Sequence, residues 1–294
     1  MKIIVASEAG FCFGVKRALK IIEEEIEKEN SPLYVYGELI HNKVVVENLK
    51  KRGVFSVDTI EEIKEGTTVV IRTHGISPQE EELLKKKKVR IVDTTCPLVK
   101  KAQLLVKKIY EEKRLPIILG KPEHPEVRGE VGYGGTEAKV ISSIDELSDD
   151  ILRKSLGVIA QTTFNPEKFE NIVDFIKKHS TNPLIYDTIC YTTVMRQKDT
   201  IKLAKESDMM IILGGKHSSN TRTLFERAKK YQSETYHIAK AEDFNPELLE
   251  GIEILGISAG ASTPDYEIKA LVSKIEKHHD NVETEWREGY KWEN

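Results

Sequence analysis

The sequence predicts an α/β protein made of three similar units arranged about a pseudo-threefold axis, and three observations carry that prediction. First, a short apolar strand leads into a cysteine and then a helix-period segment three times: residues 3–6 before Cys12, 89–95 before Cys96, and 184–189 before Cys190. Second, a further apolar strand ends on Gly37, Gly120 or Gly214, which lie 25, 24 and 24 residues after those cysteines. Third, the second half of each unit runs through a strand and a polar loop into a helix that opens with Ser77-Pro78, Asn165-Pro166 or Thr263-Pro264. Each pair reads as an N-cap residue with proline at the first helical position. Strands alternating with helices imply mainly parallel sheets covered by helices, with the functional loops at the C-terminal ends of the strands.

Taken in order, the units span residues 1–88, 89–182 and 183–280, with a tail over 281–294 that holds Trp286, Tyr290 and Trp292. The first opens with Ile3-Ile4-Val5-Ala6, turns through Gly10 to Cys12 and enters a helix at Val15. Its second strand covers 33–37, and its later strand covers 68–71. In the second unit the corresponding strands are 117–120 and 156–160, and in the third they are 209–214 and 253–257. Four residues past each strand-ending glycine stands a hydrogen-bonding side chain: His41, His124 and Ser218. Aligning the three prolines sets His74 opposite Thr162 and Gly260, with Ser262 two residues further on. Each of these loops ends at a helix N-terminus, where free backbone N–H groups and the helix dipole favour an anion.

The composition narrows the partners. With 45 basic and 48 acidic residues the formal charge is −3, so the basic excess expected of a nucleic-acid binder is absent. The longest apolar run, residues 209–213, is far shorter than the roughly 20 residues that cross a bilayer. The first strand meets Glu8 too early to form a signal-peptide core. The expectation is a soluble cytoplasmic protein that binds neither nucleic acid nor membrane.

Three cysteines are too few and too widely spaced for a disulfide framework, which leaves buried thiols or metal ligands. The repeat favours ligands. Threefold symmetry would bring one thiolate from each unit to a common point, and three like charges there require a cation or metal cluster. Cysteine-only ligation without a local C-x-x-C fits an iron–sulfur cluster or, less well, zinc. In a cubane, three cysteines would leave one iron without a protein thiolate, and such an iron can act as a Lewis acid.

The ordered motifs Gly10-Phe11-Cys12-Phe13-Gly14-Val15-Lys16-Arg17-Ala18, His41-Asn42, Thr73-His74-Gly75, Thr94-Thr95-Cys96-Pro97 and His124-Pro125-Glu126-Val127 continue through Gln161-Thr162-Thr163, Cys190, Ser218-Ser219-Asn220 and Ala259-Gly260-Ala261-Ser262. Together they resemble the 4-hydroxy-3-methylbut-2-enyl diphosphate reductase (IspH/LytB) family, across nearly all of the chain except the tail. The resemblance implies a trefoil of three α/β domains around one central [4Fe-4S] cluster per chain, held by Cys12, Cys96 and Cys190. It also implies reduction of an allylic diphosphate to isopentenyl and dimethylallyl diphosphate with loss of water, the last step of the methylerythritol phosphate route. The electrons would come from an external ferredoxin- or flavodoxin-type protein.

In the same way the resemblance assigns the diphosphate to His41, His74, His124, Ser218, Ser219, Asn220 and Ser262, a set with no lysine or arginine. Glu126 is the one carboxylate within these loops and so the candidate general acid, because the departing water needs a proton. Thr162 would orient the substrate hydroxyl and pass that proton, and the repeat alignment sets it close to Glu126. Thr163 is a further substrate contact.

Other features read as ordinary structure. His179, His237, His278 and His279 lack repeat-equivalent positions, and the Lys/Glu runs around 23–29, 80–88 and 111–114 read as solvated helix faces. Gly214-Gly215-Lys216 lacks the spacing of a P-loop. Two other functions fit parts of the pattern: a zinc hydrolase acting on a phosphate ester, and an iron–sulfur sensor that binds a phosphorylated metabolite without turnover.

Overall fold

The computed structural model describes residues 1–28 and 32–288. Its elements begin with β1 (Lys2–Val5), α1 (Phe13–Lys28), β2 (Leu33–Tyr36), α2 (Lys43–Lys51), β3 (Val54–Val57), β4 (Thr68–Ile71) and α3 (Pro78–Lys86). There follow β5 (Arg90–Asp93), α4 (Pro97–Glu111), β6 (Leu115–Leu119), α5 (Pro125–Tyr133), β7 (Lys139–Ile141), α6 (Asp149–Leu152), β8 (Leu156–Ala160) and α7 (Pro166–His179). The chain continues through β9 (Leu184–Ile185), α8 (Tyr191–Glu206), β10 (Met209–Leu213), α9 (Ser219–Lys229), β11 (Thr235–Ile238), β12 (Ile254–Ala259), α10 (Asp265–His278) and β13 (Glu283–Trp286).

These strands form three parallel sheets of one topology: β3-β2-β4-β5, β7-β6-β8-β9 and β11-β10-β12-β1, the last extended by β13. Sequence period and sheet are offset by one strand. The periods 1–88, 89–182 and 183–280 begin at the strand before each cysteine, whereas each sheet ends on that strand: β5 pairs with β4, β9 with β8, and β1 with β12. Parallel neighbours must be joined by a crossover, so a strand can pair with the element before it as readily as with the one after. The repeat does not mark the edge strands β3, β7 and β11, which at three or four residues each are too short to show a period of their own.

The chain forms two compact units, one of Met1–Lys16, Ile40–Asn48 and the residues from Tyr191 onward, the other of Arg17–Leu39 and Leu49–Cys190. In the first, alternate residues of the five-stranded sheet serve opposite faces. Ile3, Val5, Ile211, Leu213, Leu255 and Ile257 pack with Ile268, Leu271, Val272 and Ile275 of α10. Ile4, Met210 and Ile212 pack with Leu203 and Ala204 of α8 and Leu224 and Ala228 of α9. Burial on both faces explains why β10 reads as an unbroken apolar run. The expected tail over 281–294 is partly a strand, β13, which pairs parallel with β1. Arg287 follows it, donates its backbone N–H to Val5 O at 3.1 Å, and meets Glu206, Asp199 and Glu285. Tyr290 and Trp292 lie outside the described residues.

In the second unit, β6 and β8 pack on one face against Phe169, Ile172, Val173 and Ile176 of α7. On the other face Ile118 and Ile159 meet Ala102, Val106 and Ile109 of α4 and Val127 of α5. Pro116 is tolerated in β6 because the three-residue β7 begins pairing only at Ile117. Helix α5 packs closely on the loop before α3: a Cβ added at Gly129 would lie 3.4 Å from the Ile76 carbonyl carbon, and one at Gly132 only 2.4 Å from Ser77 Cβ. One acidic run departs from expectation. Glu25 is buried and paired with Arg90, with Lys28 at 3.3 Å, instead of facing water. Among the described residues no helix is long and apolar enough to cross a membrane.

Candidate active site

The second unit supplies an acid and two imidazoles. His124 caps α5, and its Nδ1 accepts the Glu126 backbone N–H at 3.3 Å. This fixes the ring and turns its other face toward His74, whose ring meets it edge-on with centroids 5.3 Å apart. His74 sits in a tight loop after β4. Thr73 Oγ1 donates to Leu39 O at 2.9 Å on one side, and on the other Gly75 has φ +69°, where a Cβ would lie 2.4 Å from Gln103 Nε2. Only glycine satisfies both the backbone angle and that approach.

Glu126, in the first turn of α5, is 2% exposed. One carboxylate oxygen accepts the Thr162 backbone N–H at 2.6 Å and the other accepts the Thr162 hydroxyl at 2.9 Å. Desolvation pushes the Glu126 pKa up to about 7, against the two Thr162 donors, which favour the charged form. Near neutrality the group therefore exchanges readily between acid and carboxylate. When it is protonated, the hydrogen bond to the hydroxyl can reverse, leaving Thr162 free to direct its own proton outward. Thr163 is placed differently from its neighbour: its Oγ1 accepts Gln161 Nε2 at 2.8 Å and it is half-buried.

The three cysteines share one backbone device. Each donates its N–H to a carbonyl in the loop after the strand that pairs with its own leading strand, β12, β4 or β8: Cys12 to Ala261 O at 3.0 Å, Cys96 to Thr73 O at 2.9 Å, and Cys190 to Thr162 O at 2.8 Å. Cys96 is the N-cap of α4 but its side chain makes no capping bond, and Cys12 and Cys190 immediately precede α1 and α8. Each sulfur is thus held at the positive end of a helix dipole, partly exposed and outside any disulfide among the described residues. Such a set of thiols fits soft metal ligation.

The first unit holds the hydroxyls and an amide. Ser218 is the N-cap of α9 and accepts the Thr221 N–H at 3.4 Å. Ser219 opens the helix. Asn220 is 4% exposed, and neither its amide nitrogen nor its oxygen has a hydrogen-bond partner among the described residues. Orphaned buried polar atoms at a helix N-terminus suit an anionic ligand. Ser262 Oγ donates to His41 O at 3.4 Å, and a Cβ on Gly215 would fall 2.5 Å from that same oxygen, so the Gly215, His41 and Ser262 loops lie against one another.

Some residues stand elsewhere. His217 is exposed. His237 Nε2 donates to Gly214 O at 3.0 Å, and burial lowers its pKa. His179 stacks on Phe175 at 4.1 Å. Thr263, expected to cap α10, instead donates its hydroxyl to Leu213 O at 3.0 Å, and that helix begins after Pro264 without a side-chain cap.

Residues 3–276 match the family described as LytB protein. The chain belongs to the LytB family. It is 42% identical over 278 residues to the 4-hydroxy-3-methylbut-2-enyl diphosphate reductase of Aquifex aeolicus, covering 94% of this chain and 96% of that one. To the enzyme of the same name from Caldanaerobacter subterraneus subsp. tengcongensis it is 39% identical over 288 residues, 97% of this chain and 100% of the relative. A solved structure of (E)-4-hydroxy-3-methyl-but-2-enyl diphosphate reductase, described as the terminal enzyme of the non-mevalonate pathway, matches with TM-score 0.71 at 42% identity, over 94% of this chain and 99% of that one. The structure of the reductase from Plasmodium falciparum matches with TM-score 0.92 at 27% identity, over 100% and 93%. LytB proteins are iron–sulfur enzymes of isoprenoid biosynthesis, in keeping with the α/β fold of three parallel sheets described above.

Two buried groups near the acid escaped the sequence reading. Glu130, one turn after Glu126 on α5, is 0% exposed, and Gln103 of α4 is equally buried. The signal available was the Glu126/Glu130 spacing, which sets both carboxyls on one helix face.

Proposed function

We propose that this LytB-family chain converts (E)-4-hydroxy-3-methylbut-2-enyl diphosphate to isopentenyl and dimethylallyl diphosphate with loss of water, the last step of the methylerythritol phosphate route. The observation that supports it best is the buried Glu126 carboxyl. It is poised near neutral pH and bonded to the Thr162 hydroxyl, on the residue whose carbonyl also holds the Cys190 backbone. That is the equipment for protonating a leaving hydroxyl beside a thiolate-ligated group.

Cys12, Cys96 and Cys190 would hold a [4Fe-4S] cluster, one per chain. When bound, it would supply one-electron chemistry and, at an iron without a protein thiolate, a Lewis acid for the substrate oxygen. The chain's own residues do the rest. His41, His74, His124, Ser218, Ser219, Asn220 and Ser262 bind the diphosphate by hydrogen bonds, and the helix dipole at α9 adds to its neutralisation. Thr162 orients the allylic hydroxyl and passes the proton that Glu126 gives up, so the C–O bond breaks with water as the leaving group. Thr163 is a subsidiary contact, because its hydroxyl already accepts from Gln161. An allylic carbanion equivalent can be protonated at either of two carbons, which yields both products from one site. The electrons come from a ferredoxin- or flavodoxin-type protein, and the reaction takes place in the cytoplasm, where thiols stay reduced.

The test is an anaerobic preparation examined for iron, sulfide and absorbance near ~400 nm, followed by turnover of the allylic diphosphate with an artificial electron donor. About four irons and four sulfides per chain together with formation of both products are expected. A colourless protein that holds zinc and cannot be reconstituted would overturn the assignment.

A further inference from the structure

The reaction just proposed consumes two electrons and two protons: ROH + 2e⁻ + 2H⁺ gives RH and H₂O. Glu126 can hold one of those protons at a time. A second carboxyl, Glu130, lies one helical turn behind it on α5, completely buried, and neither of its oxygens has a hydrogen-bond partner among the described residues. A buried carboxylate without a partner is costly, whereas a carboxylic acid is far less so. Natural helices rarely bury a glutamate in this way without a use for it.

Among the described residues no counter-ion acts on it. From α4 the neutral amide of Gln103 reaches this stretch of α5, its Nε2 lying 3.2 Å from where a Cβ on Gly129 would stand, and its own Oε1 lacks a partner among the described residues. From the loop before α3 the close approach to this stretch of α5 is the backbone of Ile76, and His74 beyond it faces the His124 ring. On α5 itself Arg128 is exposed. Burial, and with it the Glu126 charge, the one charge that acts on Glu130 among the described residues, hold the Glu130 pKa well above the carboxylate range.

We propose that Glu130 is a positioning residue that works through Glu126: it stores the second proton of each turnover and passes it to the Glu126 carboxylate once that acid has discharged. The step is a proton transfer between like groups, Glu130–COOH + Glu126–COO⁻ giving Glu130–COO⁻ + Glu126–COOH, with no change of net charge in the pocket. Two buried carboxyls one helical turn apart resist being ionised together, so the pair carries a single negative charge after the first proton leaves, and once the second has been spent both protons are replaced from solvent before the next turnover. The inference rests on the reductive reading for its second proton, but the protonation of Glu130 does not.

The experiment therefore has two parts. Infrared difference spectra of the holoenzyme without substrate, titrated through neutral pH, read protonated carboxyls directly. The wild type is expected to keep one protonated-carboxyl C=O band above pH ~7, and that band should vanish in Glu130→Gln and in Glu130→Met. If the band survives in both variants, Glu130 is not the stored acid and the proposal fails. Steady-state kinetics supply the second part. Both variants should lose about tenfold in kcat with KM unchanged, and Glu130→Asp, which keeps a proton, should recover part of the loss. Glu130→Met fills the same volume without polar atoms, so a merely packing role predicts wild-type kcat there, and that result would also overturn the relay.

Discussion

Glu126 shows how its surroundings set the acidity of one side chain. A carboxyl in water ionises near pH 4.5, but the core around α5 strips its solvent and moves that midpoint to about 7. Glu126→Gln keeps the volume and removes the proton, and should lower kcat by about 10²–10⁴-fold while the cluster and diphosphate binding persist. Because the acid must be protonated to act, wild-type kcat should fall as pH rises through about 7, a limb that a pH–rate profile reads directly. The same shift has a thermodynamic side. A carboxyl whose folded pKa is raised contributes stability that is complete below its unfolded pKa and disappears as pH rises through the folded value. Unfolding free energy should thus decline between pH about 4.5 and 7, and denaturant melts of Glu126→Gln should show a flatter pH dependence over that window. The neighbouring Glu130 was not legible from sequence, since a helical glutamate ordinarily faces water and only the packing of α3 and α4 on α5 encloses it.

At the level of elements, the strands and caps that position the loops were largely readable. Ser77, Asn165 and Ser218 accept backbone N–H groups at helix starts, as their place before proline or before an apolar period suggests. The elements that escaped are short edge strands whose stability comes from a neighbour. β13, Glu-Thr-Glu-Trp, has no apolar face of its own and becomes a strand because β1 offers an open edge and Arg287 gathers Glu206, Asp199 and Glu285. Asp199 also accepts the backbone N–H and hydroxyl of Ser7, at 2.7 and 2.9 Å, in the loop that leads to Cys12. Arg287→Ala should therefore cost about 1–2 kcal/mol in chemical denaturation and speed hydrogen exchange at Ser7 and in β1. A cut into the centre of the same sheet should cost more: Ile211→Ala, fully buried in β10, should destabilise by roughly 2–5 kcal/mol.

For the whole molecule, one sheet order is used three times, and each copy ends on a strand that leads to a cysteine. This makes the cluster reading testable by subtraction. Replacing any one of Cys12, Cys96 or Cys190 with serine should lower iron and sulfide retained after anaerobic reconstitution and abolish turnover, while far-UV circular dichroism stays unchanged. If one of the three variants holds iron as the wild type does, that cysteine is not a ligand. Because β1 leads to Cys12 and pairs with both β12 and β13, deletion of β1 should release the Cys12 loop and remove a sheet neighbour, and lose more stability than Cys12→Ser.

The sequence by itself determined the α/β class, the threefold repeat, the helix starts other than that of α10, the family and the facing of Glu126 and Thr162. All of these follow from local pattern, fixed spacing or motif, which the order of residues records directly. Only the tertiary structure decided which sheet each cysteine strand joins, that the tail contributes β13, and that Glu25 and Glu130 are buried. Parallel pairing joins strands distant in sequence, and the desolvation of a charged side chain depends on every element packed around it, so neither is written in the residues beside it.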